Sequence, residues 1–195
     1  RISNSEIQSF KRCRRQWWLS WVRGLILKQV SPLGALAIGS RIHEALALYY
    51  VPDVTQRIDP RESIDGLLKR DLELLASVSV SPLDRKKYES EADLQRIMLD
   101  GYMQWITDTG ADQDYIVVES ESYVEARFEP LRTAFGMQLW IIARLDVRLR
   151  NAWTGQLLFL DHKTTGNIEA SMRGLRMNPQ MRMYRLILQL ATGET

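Results

Sequence analysis

The hydrophobic period of this 195-residue chain changes at Gly110. Before it, apolar residues recur at helical spacing; after it, they alternate. Ser3-Asn4-Ser5-Glu6 has the Ser-x-x-Glu spacing of a capping box. It predicts a helix with Ile7, Phe10, Arg14, Trp17 and Trp21 near one face and Gly24 at its end. Further helices are predicted over 37–50, 61–78 and 84–108, punctuated by Pro52, Pro82 and Asp84. Beyond Gly110, residues 115–125 place Tyr115, Val117, Glu119, Glu121 and Tyr123 on one strand face. In 138–150, Leu139, Ile141, Ala143, Leu145, Val147 and Leu149 share one face, with Trp140, Ile142, Arg144, Asp146 and Arg148 opposite. A third strand is predicted over 156–163, and a last helix from Asn178-Pro179 to Gly193. Helices, three strands and a helix predict an α/β (α+β) fold, a small mixed sheet flanked by helices. The length suits one domain, with a mainly helical part over 1–110 and a sheet and final helix over 111–195.

Charge is segregated along this order. Between Glu6 and Glu44 there is no acid, while the span holds Lys11, Arg12, Arg14, Arg15, Arg23, Lys28 and Arg41. Residues 59–125 are acidic, and Arg173, Arg176, Arg182 and Arg185 make the end basic again. Such segregation builds a positive groove for a polyanion, or it is a solvated face in an arginine-rich chain. No apolar run approaches the roughly 18 residues that span a membrane, so no membrane partner is expected. Cys13 is the one cysteine, which allows no internal disulfide and no complete cysteine metal site; a cytoplasmic setting is expected. The sequence starts at Arg1 and stops just after a helix-like segment, so a truncated or processed chain is expected.

The stretch "LLFLDHKTTG", residues 157–166, drives Asp161 and Lys163 out of the end of an apolar strand. Strand pleating puts both on one face, roughly 7 Å apart at Cα. Asp146 lies one hairpin earlier at a comparable height, so two carboxylates on neighbouring strands could share a hard cation. The alternative is a strand-end ion pair. Asp84-Arg85-Lys86 has the same spacing without an apolar run behind it, and reads as a solvated cluster.

Further motifs stand in order around it. They are the helix "SEIQSFKRCRRQWWLSWV", "GSRIHEAL" with Gly39, His43 and Glu44, "VVESE", "ARLDV", "LDHKTTG", and "PQMRMYRLIL" with Gln180 and Tyr184. This order resembles the PD-(D/E)XK nuclease superfamily, most closely its RecB-like exonuclease branch, which includes CRISPR-associated and phage exonucleases. The resemblance implies a restriction-endonuclease-like core and metal-assisted phosphodiester hydrolysis. It implies Asp146 and Asp161 as metal-binding carboxylates, His43 and the backbone carbonyl of His162 as further ligands, and Lys163 as the catalytic lysine. Glu121 resembles an accessory acid, with Glu119 competing, and Gln180 and Tyr184 a substrate-side pair. Mg²⁺ or Mn²⁺ would activate water and stabilise the phosphate. DNA is the implied substrate, with a single-strand annealing or recombination protein the implied partner, and the acid-free span then places Arg12, Arg14 and Arg15 against the DNA. The implied setting is a bacterium or phage-infected host, in replication, repair or recombination.

Two features depart from the family. Ala143 stands where a glycine is usual, and Cys13 stands where some relatives place the first of four iron–sulfur ligands. With three ligands missing, no cluster is expected within these residues, and Cys13 reads as a small buried hydrophobe. Without the resemblance, His43 beside Ile42 and Leu46 reads as a hydrogen-bonded core histidine rather than a ligand, and Trp17, Trp18 and Trp21 read as core packing or as a base-stacking surface. A nuclease-fold DNA-binding module without activity and an endonuclease with the same core are the competing functions.

Overall fold

Ser3 Oγ accepts the Glu6 N–H at 3.1 Å, as the capping spacing requires, and starts helix α1 (Asn4–Arg12). The reciprocal half of the box does not form. The Glu6 carboxylate instead accepts the Trp17 indole N–H at 3.1 Å. The computed structural model describes residues 1–25, 31–76, 81–175 and 178–193. Lys28 and Arg176, counted above in the basic spans, lie outside the described residues, as does the end of the helix expected to reach residue 78.

The single helix expected up to Gly24 is broken. Cys13 is extended (φ −159°, ψ 108°) and separates α1 from a short α2 (Arg14–Trp17), followed by a π-helical turn over Trp18–Val22. Cys13 is exposed, which corrects its reading as a buried hydrophobe. The remaining helices are α3 (Ala35–Tyr49), α4 (Pro60–Ala76), α5 (Pro82–Thr109), α6 (Ile168–Leu175) and α7 (Pro179–Thr192). Ser81 caps α5 with Pro82 in its first turn, and Gly110 ends it at φ 61°, a conformation glycine adopts without strain. Helix α6 has no buried residue and escaped the sequence reading for that reason. No helix among the described residues is long and apolar enough to cross a membrane.

The strands are β1 (Ile2–Ser3), β2 (Tyr115–Arg132), β3 (Gln138–Asn151) and β4 (Leu157–Leu160). They form a mixed sheet of order β1-β3-β2, with β1 parallel to β3 and β4 antiparallel to it. The α/β class and the small mixed sheet are as the sequence predicts. Strand β3 buries Ile141, Ala143, Leu145, Val147 and Leu149, the face read from the alternation. Strand β2 does not keep one period. Val117 is buried, and then Ser122, Val124 and Ala126. The parity slips at Glu121, whose φ of 50° is the one left-handed value among described non-glycine residues. A left-handed residue at a parity slip is the geometry of a β-bulge, which re-aims side chains and is costly outside glycine. Tyr123 therefore is exposed rather than sharing a face with Val117.

The chain divides into two compact units that interleave in sequence. One comprises residues 1–29, 122–145 and 165–195; the other comprises 30–121 and 146–164. This division cuts the long strands at Glu121 and Leu145, and does not follow the helix-to-strand change at Gly110. The first unit buries Val124, Ile141, Ala143, Tyr184, Ile187 and Leu188. The second has a continuous core in which Ala45 and Leu46 of α3, Ile64 of α4 and Leu99 of α5 join Val117, Val147 and Leu149 of the strands. There Arg41, 2 % exposed, donates to Gln95 at 2.8 Å, to Asp71 at 2.7 Å and to the Pro32 carbonyl at 2.9 Å. It bolts α3 to α4 and α5, so it is no part of a basic groove, which corrects its place in the acid-free span.

Candidate active site

All of the acids, histidines and the lysine singled out around "LLFLDHKTTG" fall in the second unit. Asp146 projects from the polar face of β3. The β3–β4 register pairs Arg150 with Leu157, Leu149 with Leu158, Arg148 with Phe159 and Val147 with Leu160. Asp146 and Asp161 are the residues next to the last pair, Val147 and Leu160, which agrees with the comparable heights that the hairpin arithmetic expects. Strand β4 itself stops at Leu160, so Asp161, His162 and Lys163 follow the strand rather than extending it. The tie that replaces the strand pairing is specific. The His162 backbone N–H donates to Asp146 Oδ2 at 2.7 Å.

His43 reaches Asp146 from α3, with Nδ1 3.3 Å from Oδ2. Ser120 of β2 donates to the Ala47 carbonyl of α3 at 3.3 Å, one helical turn beyond His43, and so helps hold helix and strand together. Gly39 permits a close approach on the same helix. A Cβ there would stand 3.2 Å from Thr164 Oγ1, just past Lys163. Glu44, next to His43, points elsewhere and holds Arg70 at 2.7 Å.

One ligand atom each from His43, Glu121 and Asp146 lie within 4.8 Å of one another. Glu119, the competing acid, is bonded to Arg148 instead. The slip at Glu121 accounts for the difference. Without it, both glutamates would share a face. Asp161 stands beside this cluster rather than in it. Its side chain is 3 % exposed, and Oδ2 lies 2.7 Å from Lys163 Nζ.

The electrostatics follow from the bonds. Burial pushes the Asp146 carboxyl up, but the hydrogen bonds from His43 and from the His162 N–H outweigh it and hold the group below the usual carboxylate range. Bonding to Asp146 raises the His43 imidazole against the opposing effect of burial. Asp161 is raised by burial, with Lys163 pulling the other way. The His162 ring is lowered to about 4 because it is buried. It sits 5.5 Å from the Tyr50 ring and 5.7 Å from Tyr102, whose hydroxyl meets Nε2 at 3.2 Å. The Tyr50 and Tyr102 hydroxyls are 2.6 Å apart. The sequence reading missed both tyrosines. The available signal was that Tyr50 lies seven residues after His43, on the same helical face.

Two carboxylates and one imidazole offer oxygen and nitrogen donors, and an Asp146 held ionised is suited to a cation. The set fits a hard divalent ion such as Mg²⁺ or Mn²⁺. Binding one requires His43 to be neutral.

The other residues singled out from sequence lie in the first unit. Gln180 Nε2 donates to the Tyr184 hydroxyl at 2.6 Å, one turn apart on α7. Arg12, Arg14 and Arg15 are exposed, Arg12 donating to Gln16 at 3.2 Å and Arg14 lying 5.3 Å from the Phe10 ring. The three tryptophans are not core. Trp17 packs edge-on against Phe10 at 5.1 Å, Trp18 carries Arg23 at 5.1 Å, and both Trp18 and Trp21 are exposed.

A search of curated proteins found no match to the sequence. A family model for PD-(D/E)XK nucleases matches residues 1–195. With an acid-and-histidine cluster beside an Asp-x-Lys pair and a match over its whole length, the chain belongs to the PD-(D/E)XK nuclease superfamily.

Proposed function

We propose that the chain is a metal-dependent deoxyribonuclease of the RecB-like type, with residues 1–195 as one nuclease domain, acting as an exonuclease in phage or bacterial DNA replication, repair or recombination. The observation that carries this is the convergence of His43, Glu121 and Asp146 beside the Asp161–Lys163 pair. His43, Glu121 and Asp146 would hold Mg²⁺ or Mn²⁺, with Asp161 and the His162 carbonyl as neighbouring oxygens. The ion supplies Lewis acidity toward water and the scissile phosphate.

The chain's own residues do the rest. Asp146 stays ionised because the His162 N–H and His43 stabilise its charge. Lys163, 44 % exposed, presents its ammonium to negative charge that develops on the phosphate, and the buried Asp161 fixes its position. Arg12, Arg14 and Arg15 meet the backbone of the DNA, and Gln180 with Tyr184 orients it. The order of motifs favours the exonuclease branch and with it a single-strand annealing or recombination partner, and the lone Cys13 favours a cytoplasmic setting.

Linear and covalently closed circular DNA, incubated with Mn²⁺ and with EDTA, test the reading. Degradation of the linear form alone, abolished by EDTA, is expected. Cutting of the closed circle would make the enzyme an endonuclease, and intact DNA in every lane would leave a nuclease-fold binding module.

A further inference from the structure

The first unit contains a cavity of about 300 Å³, and the role given above to Gln180 and Tyr184 does not say which part of the DNA it would take. Trp21, Tyr123, Arg144, Ser3, Gln180 and Tyr184 are among its lining residues, and all belong to that unit. Its chemistry is mixed in a particular way. Trp21 and Tyr123 are 45 % and 78 % exposed. An exposed Trp and Tyr at one cavity offer apolar ring faces that water solvates poorly. Arg144 adds a guanidinium, and Gln180 and Tyr184 add a bonded polar pair at 2.6 Å.

The surrounding charge narrows the ligand. This unit holds 14 of the 26 lysines and arginines but 5 of the 24 acids, a formal net charge of +9. The other unit holds 12 basic and 19 acidic residues, a net charge of −7. The two values sum to the +2 of the whole chain. A site with aromatic faces and a cation, in the strongly positive unit of the protein, matches a polyanion whose repeating element is also a flat ring. Duplex DNA presents phosphates but keeps its bases stacked inside. A single strand offers both at once.

We propose that this cavity binds an unpaired nucleotide of the DNA strand, its base stacking on Trp21 and Tyr123 and its phosphate meeting Arg144. The proposal rests on the nuclease reading for the identity of the polymer, and it adds the strand state and the residues that recognise it. It also separates the three tryptophans of the basic helical segment. Trp17 is engaged by Glu6 and Phe10 and Trp18 by Arg23, while Trp21 lines the cavity.

The test is equilibrium binding of a fluorescent oligothymidylate and of a blunt duplex, by anisotropy in EDTA, so that no cleavage enters. Trp21→Ala and Tyr123→Ala should each weaken the single strand by about 5- to 100-fold and leave the duplex within about twofold. Trp21→Phe, which keeps a ring, should bind close to the unsubstituted protein. Arg144→Gln should lower affinity and reduce the log–log salt slope by about 0.7. Melting curves accompany each variant; Tyr123, the more exposed ring, carries the test should Trp21→Ala melt early. Folded aromatic variants that bind oligothymidylate normally overturn the proposal. So does an equal loss for single strand and duplex, which would mean a generally basic surface. Mn²⁺-dependent cleavage is read separately. Trp21-dependent binding without any cleavage keeps the cavity and discards the nuclease, and cleavage with Trp21-independent binding does the reverse.

Discussion

Lys163 Nζ lies 2.7 Å from Asp161 Oδ2, yet the lysine side chain is 44 % exposed and the aspartate 3 %. One partner is a fixed buried post and the other a charge held out toward solvent. The pair therefore has two separable jobs. Lys163→Ala should lower cleavage by at least about 100-fold while Mn²⁺ affinity, read by calorimetry, changes little, because an ammonium is not a ligand. Asp161→Ala should lose cleavage and also weaken Mn²⁺ binding. Asp84→Ala, in a motif of equal spacing where Ser81 caps a helix, should cleave normally. Full activity in purified Lys163→Ala returns the pair to a strand-end ion pair.

Glu121 and Glu119 are two residues apart and should behave differently. Glu121→Gln is expected to weaken Mn²⁺ binding about tenfold or more, since it keeps an oxygen donor but removes one of the two carboxylate charges of the cluster. Glu119→Gln breaks an exposed bond to Arg148, worth no more than about 1 kcal/mol, and should leave metal affinity unchanged. Equal effects on metal binding would contradict the assignment.

The two histidines should pull acid stability in opposite directions. His162 is lowered to about 4 from an ordinary 6.5, so its contribution is complete above about pH 6.5 and is lost as pH falls toward 4. His43 is raised above 6.5, so its contribution is complete below that value and is lost as pH rises through the raised pKa. In EDTA, the fall in Tm between about pH 7.5 and 5 should therefore be smaller in His162→Gln and larger in His43→Gln than in the unsubstituted protein. Parallel shifts in both variants would show that the bonding to Asp146 and the burial of His162 do not control titration.

The exposed arginines should act through phosphate. Replacing Arg12, Arg14 and Arg15 together should weaken duplex binding and flatten its salt dependence by about 0.9 in log–log slope per lost contact. An unchanged slope would mean that they are merely solvated.

The sequence determined the type of the elements that bury one face, because that depends on local periodicity, whereas α6, which buries nothing, was not legible. The alternation of β3 marks its buried face from Ile141 to Leu149, and Ser81 with Pro82 and Gly110 bounds α5. The hairpin that brings Asp146 and Asp161 to comparable heights, each next to the Val147–Leu160 pair, was also legible, since a hairpin register is counted along the chain. The motif order brought His43 and Glu121 into consideration, but no spacing along the chain sets the distance between a helix and a strand. Only the tertiary structure decided that their ligand atoms meet Asp146, that the slip at Glu121 separates it from Glu119, and that Asp161 is buried under Lys163. The same holds for Arg41, basic in sequence yet locked between three helices, and for Cys13, which interrupts a helix its neighbours favour. The physical reason is one of range. Periodicity reports which face of an element is buried, whereas the partner of a charge is set by long-range packing that places other elements beside it.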